Sequence, residues 1–357
     1  MPLLNDIASH WLDGTVRMFE AVSRGYGSPA TDPEPVTRYR EVYRAGKVAL
    51  RRYTPEVRMH RTPVVIVYAL IKRPYILDLQ PDKSVVRALL NQGFEVYLID
   101  WLPPTKADTE LGFEEYVGVE LANAVHAVQQ SEDVDQVHLI GYCFGALLAL
   151  LYTATHPEAV RNLVTLTIPF DMGVREIGIY HLVDSMSELA VDLVTKVYGN
   201  CPAWMVNANF LSMAPVHHGL DKYVGLYRNA QRDGYAEMFE LFERWMMSDV
   251  PIAGRLFRQL VIDLFKRNAL ARGEFRLGGQ KVDLRRVSCP LLNVVAEHDD
   301  VVHPRSSLGL LEHVGSTDKA NVTFPVGHLG AVVSGGAMRK LWPQIGAWLA
   351  ARDFFEN

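Results

Sequence analysis

The chain has 357 residues, a hydrophobic content of 49% and a formal net charge of −5. That length suits one large α/β domain with an insertion, or two ordinary domains, and the apolar content allows a sizeable core. The mild, unclustered charge leaves no electrostatic footprint for nucleic acid, and no window approaches the roughly eighteen apolar residues of a membrane span.

Residues 1–45 are mixed in character and include the Pro-rich stretch Ser28–Pro35, which reads as an exposed N-terminal arm. The first residues lack a basic segment followed by an apolar one, so no signal peptide is expected. Strands are expected over Val48–Tyr53 and Val64–Tyr68, then a helix over Ser84–Asn91 stopped by Gly93. Phe94–Asp100 reads as a strand and Phe113–Gln130 as an amphipathic helix. The apolar run Val137–Ile140 leads into a turn, a helix from Ala146, and a further strand at Leu163–Thr167. Continuous apolar strands separated by helices indicate a parallel sheet covered on both faces.

The pattern changes from Asp171 to Arg286, a stretch rich in Met, Trp, Tyr and Phe, helical in period and without a convincing strand. Alternation resumes at Leu291–Ala296, then Asn321–Phe324, and closes with a helix around Met338–Ala351. The expected organisation is α/β: an arm (1–45), a mostly parallel sheet domain (46–170 and 287–357) and an inserted helical cap (171–286). The aromatic and Met side chains of the cap, among them Trp204, Met205, Trp245, Met246 and Met247, suit ordinary packing, with an apolar docking face as the alternative.

The chemistry centres on Gly141-Tyr142-Cys143-Phe144-Gly145, between a strand and a helix. This is the nucleophile-elbow pattern with cysteine in place of serine. The apical residue takes a cramped backbone conformation, so its flanks must be small. A thiol needs a base beside it, and elbow folds supply an acid and then a histidine later in the chain. Strand 291–296 runs into Asp299-Asp300, and strand 321–324 into the loop Gly327-His328-Leu329-Gly330. His328 is the expected base; the adjacent acids leave Asp299 only slightly ahead of Asp300. The oxyanion is expected at the backbone N–H groups of Phe144 and of Leu70, in the loop after strand 64–68. Lys72 and Arg73 in that loop read as solvated charges or, at a pocket mouth, as partners for substrate phosphates. Three cysteines (Cys143, Cys201 and Cys289) cannot all pair and match no zinc spacing, so no metal is expected and a reducing cytoplasm is the natural setting.

Longer motifs carry a family likeness. Val67–Leu70 with Arg73–Leu79, Val96–Trp101, the Gly-x-Cys-x-Gly elbow, Arg161–Val164 before Pro169-Phe170-Asp171, Gly278–Leu284 and the Gly327-His328 loop resemble polyhydroxyalkanoate synthases of the short, two-subunit classes. The resemblance runs from about residue 45 to 352 and implies an α/β-hydrolase fold. It implies polymerisation of (R)-3-hydroxyacyl-CoA into polyester through a Cys143 thioester, with release of CoA. On this resemblance the catalytic groups fall on Cys143, His328 and Asp299, and Trp101 joins Lys72 and Arg73 as a substrate-binding candidate. It further implies no cofactor beyond the coenzyme A of the substrate, a second subunit, homo- or hetero-oligomers, and a cytoplasmic site at the polyester granule. The sequence departs from the family's usual pattern at Lys72, Leu102, Phe144, Ala146 and the loop His298-Asp299-Asp300. Two other readings fit the same residues: a cysteine-dependent acyl-CoA thioesterase or hydrolase, and an inert homologue that coats granules or binds a partner.

Overall fold

A computed structural model describes residues 32–176, 183, 186–206, 235–248 and 250–353. Most of the expected arm (1–31) and parts of the expected cap (177–182, 184–185, 207–234 and 249) lie outside the described residues. Eight strands form the main sheet: β1 (Arg40–Ala45), β2 (Val48–Tyr53), β3 (Val64–Val67), β4 (Val96–Trp101), β5 (Val137–Tyr142), β6 (Val160–Leu166), β7 (Leu291–Ala296) and β8 (Lys319–Phe324). Their order is β1-β2-β4-β3-β5-β6-β7-β8. The two pairings of β2, with β1 and β4, are antiparallel; the pairings from β4 to β8 are parallel.

Strands β3, β4, β5 and β7 are buried along their whole length, as the continuous apolar runs require, because helices cover both faces of a parallel sheet. Each buried Val, Leu or Ile contributes about 1.5–3 kcal/mol relative to exposure. The segment Arg40–Ala45, part of the arm expected from the sequence, is instead an edge strand. Its side chains are exposed or half-buried, so it carries no core-facing alternation for a sequence reading to find.

The elbow helix α1 (Phe144–Thr155) is buried from Phe144 to Ala154. It packs against β5 and β6. Between β6 and β7 the described residues include two longer helices, α2 (Glu188–Tyr198) and α3 (Tyr235–Met246), and shorter helical turns. The only strands described there are a two-residue hairpin, Arg276–Leu277 with Gln280–Lys281. A polar residue aligns this side of the sheet. Asn293, in the middle of β7, accepts from Thr165 (2.9 Å) and donates to Asn321 (2.8 Å) and to the Ser307 carbonyl (2.9 Å). It therefore ties β6, β7 and β8 in register, and the loops that leave β7 and β8 inherit that alignment.

Candidate active site

Parallel strands leave their C-terminal ends along one edge, where α/β sheets bind their ligands. Cys143 follows β5 directly, at φ 54° and ψ −123°. For a side chain with a Cβ this left-handed φ costs about 1–3 kcal/mol and persists only when the surroundings enforce it. The neighbouring glycines do so. A Cβ at Gly141 would lie 2.3 Å from the Ala146 Cα, and one at Gly145 2.1 Å from the Val67 carbonyl oxygen. Both obstacles are backbone, so neither can swing aside. The Cys143 N–H donates to the Leu166 carbonyl (2.9 Å) and the Cys143 carbonyl accepts from Ala146 (2.9 Å), which pins the apex between β6 and α1.

His328 sits on the loop after β8, and Asp299 on the loop after β7. The His328 Nδ1–H donates to Asp299 Oδ2 at 2.8 Å, with both side chains buried. Asp299 is held in turn by the N–H groups of Val301 (2.9 Å) and Val302 (2.7 Å) on its other oxygen. Asp300 and His298 are exposed, so of the two adjacent acids Asp299 is the one that meets the imidazole. Burial alone would lower the pKa of His328. The Asp299 carboxylate and the neighbouring Cys143 outweigh it and hold the ring well above the ordinary 6.5. The sulfur of Cys143 lines the same pocket as this ring. With Nδ1 committed to Asp299, Nε2 is the nitrogen left for the sulfur.

Cys143 and His328 line a pocket of about 60 Å³ together with Tyr68, Ile71, Trp245, Met246 and Leu329. That space holds a handful of water molecules, or a short acyl group, but not the remainder of an acyl-CoA. Ala69 and Ile71, on either side of Leu70, both line it, and the backbone turns at Leu70. The Phe144 side chain faces elsewhere: it is buried with its ring 5.8 Å from Phe113, which meets Phe275 edge-on at 5.3 Å. The bulky residue after Cys143 thus joins an aromatic cluster, while its backbone N–H opens α1.

The three residues expected to bind substrate separate. Lys72 lines the pocket but is buried, and its ammonium donates to the Met246 carbonyl at the end of α3. Arg73 is outside the pocket lining; its guanidinium holds Asp32 through two bonds (2.8 and 2.7 Å) and approaches Asp100 at 3.4 Å. Trp101 is also outside the lining, donating from Nε1 to the Tyr68 carbonyl (2.8 Å) and meeting Tyr116 edge-on. In the structure the side chains of Arg73 and Trp101 brace the loop after β3. Residues the sequence did not single out are Tyr68 and Tyr142, stacked at 5.8 Å beside Cys143. Their signal was weak, since an aromatic at a strand end reads as core. Among the described residues, no group of three or more His, Cys, Asp or Glu side chains could hold a metal ion, and no helix is long and apolar enough to cross a membrane.

A strand-ended cysteine, a late acid and a histidine loop on one sheet edge define the class. Residues 62–333 match the family model described as alpha/beta hydrolase fold. The crystal structure of Paleococcus ferrophilus monoacylglycerol lipase superposes with a TM-score of 0.55 at 17% identity, over 85% of this chain and 99% of that one. A thermophilic esterase from Thermogutta terrifontis gives 0.54 at 14% identity, over 89% of this chain and 100% of that one. At such identities these structures speak for the fold alone. The sequence relatives are narrower. The poly(3-hydroxyalkanoate) polymerase subunit PhaC of Thiocystis violacea is 34% identical over 97% of both chains. That of Allochromatium vinosum is 36% identical over 87% of this chain and 88% of its own. That of Haloferax mediterranei is also 36% identical, over 87% of this chain, which spans 63% of the relative's length. The chain belongs to the PhaC family of poly(3-hydroxyalkanoate) polymerases, within the α/β-hydrolase fold.

Proposed function

We propose that the protein is a polyester synthase that polymerises (R)-3-hydroxyacyl-CoA through a covalent thioester on Cys143, releasing CoA. The observation that carries the site assignment is the buried Asp299–His328 hydrogen bond beside a cysteine held at positive φ. His328 takes the thiol proton and the sulfur attacks the acyl-CoA carbonyl. The developing oxyanion meets the backbone N–H groups of Phe144 and Leu70. The imidazolium then returns its proton to the departing CoA sulfur. In the second half-reaction His328 removes the proton from an incoming 3-hydroxyl, which attacks the enzyme thioester; the C–S bond breaks, and the imidazolium returns the proton to the Cys143 sulfur as it leaves. Asp299 fixes the imidazole tautomer throughout. Sulfur suits this task because a thioester keeps the acyl group activated for transfer to an alcohol. The reaction needs a thiol, an imidazole, a carboxylate and two amides, with no cofactor.

Residues 171–286 act in this reading as a cap that keeps water from the acyl-enzyme, supported by the apolar lining that Trp245 and Met246 bring to the pocket. The protein works in the cytoplasm at the surface of the growing polyester granule, in a homo- or hetero-oligomer with a second synthase subunit.

Incubation of purified protein with 3-hydroxybutyryl-CoA, with and without a candidate partner subunit, is expected to release CoA and deposit insoluble polyester. Release of CoA with free 3-hydroxy acid as the sole product would replace the synthase by a hydrolase. Cys143→Ala is expected to abolish CoA release, and Cys143→Ser to lower it by at least about a hundredfold, since a hydroxyl is a far poorer nucleophile with a base matched to a thiol. Full CoA release by Cys143→Ala would point to chemistry elsewhere.

A further inference from the structure

Tyr142 is the last residue of β5 and the neighbour of the nucleophile in the chain. Its hydroxyl donates to the backbone carbonyl of His328 at 3.2 Å, a buried contact between residues 186 positions apart. Its ring lies 5.3 Å from the His328 imidazole, and its other neighbour is the Tyr68 ring at 5.8 Å. Burial first, then the neighbouring Tyr68, Cys143 and acids, raise the phenol well above its ordinary 10, so the hydroxyl remains a donor.

The imidazole is therefore located by two attachments of different origin. Asp299 fixes its Nδ1 and hence its rotation about the side chain. Tyr142 fixes the backbone from which the ring projects, and it does so from the strand that also carries the sulfur. The loop has further ties to the acid loop, with the His298 N–H on the Val326 carbonyl (3.0 Å), but these reference His328 to β7 and not to Cys143. We infer that Tyr142 is a positioning residue for the reaction: it clamps the His328 loop to the nucleophile's own strand and so sets the separation of sulfur and imidazole. The inference rests on the reading of Cys143 as nucleophile and His328 as base. Small displacements between such groups are costly in rate, whereas the clamp contributes little to substrate binding because its hydroxyl is already taken up by the protein.

The test compares full-length wild type with Tyr142→Phe, which keeps the ring and removes the donor. Two readouts are taken: kcat and KM for CoA release from 3-hydroxybutyryl-CoA, and the pH profile of Cys143 alkylation by iodoacetamide, mapped by peptide. The profile reports Cys143 cleanly, because burial pushes the Cys201 and Cys289 thiols up to about 12. The expected result is a kcat about tenfold lower with KM within about twofold, and an alkylation midpoint moved to higher pH, in line with one lost hydrogen bond at the base. Replacement of Tyr142 by p-aminophenylalanine restores a donor and is expected to return both readouts toward wild type. The equally shaped p-methylphenylalanine does not, and this pair decides the matter if the Phe variant fails to fold. Wild-type kcat and an unmoved alkylation profile in Tyr142→Phe, or identical profiles in the amino and methyl variants, would overturn the inference. Lower heat stability with an unmoved profile would make Tyr142 merely structural and overturn it equally. Wild type that is alkylated at Cys143 yet makes no polyester would break the synthase reading alone, and the alkylation comparison would still judge Tyr142.

Discussion

His138, at the opposite end of β5 from Cys143, shows how far burial can move a titrating group. It is fully buried, receives Asn162 on Nδ1 at 3.0 Å, and lies 3.8 Å from Asp353 through Nε2. Burial pushes its pKa down to about 3; Asp353 opposes the shift, and Arg161 and His60 add to it. The unfolded chain takes up this proton near pH 6.5 and the folded chain only near 3. Below pH 6.5 the unfolded state therefore binds more protons, so the contribution to stability is complete above that pH and is lost as the pH falls. Urea melts between pH 6.5 and 4 should show a decline of up to about 1.4 kcal/mol per pH unit from this group. His138→Leu is expected to flatten that part of the decline; an unchanged pH slope in the variant would assign it to other groups. At the site itself, Asp299→Asn keeps the shape but removes the charge that selects the imidazole tautomer. CoA release should fall by at least about a hundredfold, and a loss of less than about threefold would remove Asp299 from the mechanism.

At the scale of single elements, the elbow depends on which atoms surround each glycine. Gly145→Ala would drive a Cβ against the Val67 carbonyl oxygen, forcing α1 and β3 apart at a cost of about 1–3 kcal/mol and displacing Cys143. Gly118, on an exposed turn of the helical stretch before β5, has open space where its Cβ would stand, so Gly118→Ala should stabilise by about 0.5–1 kcal/mol. Thermal melts of the two variants should shift in opposite directions, and equal shifts would contradict the close approach at Gly145. The elements themselves were legible in proportion to their burial. β3, β5 and β7 are buried from end to end and, apart from His138 in β5 and Asn293 in β7, carry no charged or amide side chain, so they stood out as strands, because a strand covered on both faces has no polar side to show. The strand Arg40–Ala45 did not stand out, since four of its six residues are polar or aromatic and none is buried. Cys143 was legible from its flanking glycines. The contribution of Asn293 to alignment was not, because a single amide within an apolar run reveals its partners only after folding.

Across the whole molecule, the loop after β3 and the end of α3 are joined in both directions. Lys72 donates to the Met246 carbonyl, and Trp245 donates from Nε1 to the Arg73 carbonyl (2.9 Å). The Lys72 ammonium also lies 5.8 Å from the Trp245 ring, within cation–π range. These contacts hold α3 over the pocket. Lys72→Met should raise hydrogen exchange in Tyr235–Met246 while leaving β3 to β7 protected, and KM for acyl-CoA should change with kcat largely retained. Unaltered exchange in that helix would mean that Lys72 does not fasten it. The sequence by itself determined the alternation of buried strands and helices, the elbow and the chain order of cysteine, acid and histidine, because each of those motifs is carried by residues close together in the chain. It could not choose between Asp299 and Asp300 by local reading, nor foresee that Arg73 and Trp101 brace the site from outside the pocket, that Lys72 is tied to a helix, or that Tyr142 reaches the His328 loop. Those outcomes depend on distances between side chains brought together from remote positions, and only the packed sheet with its covering helices fixes such distances.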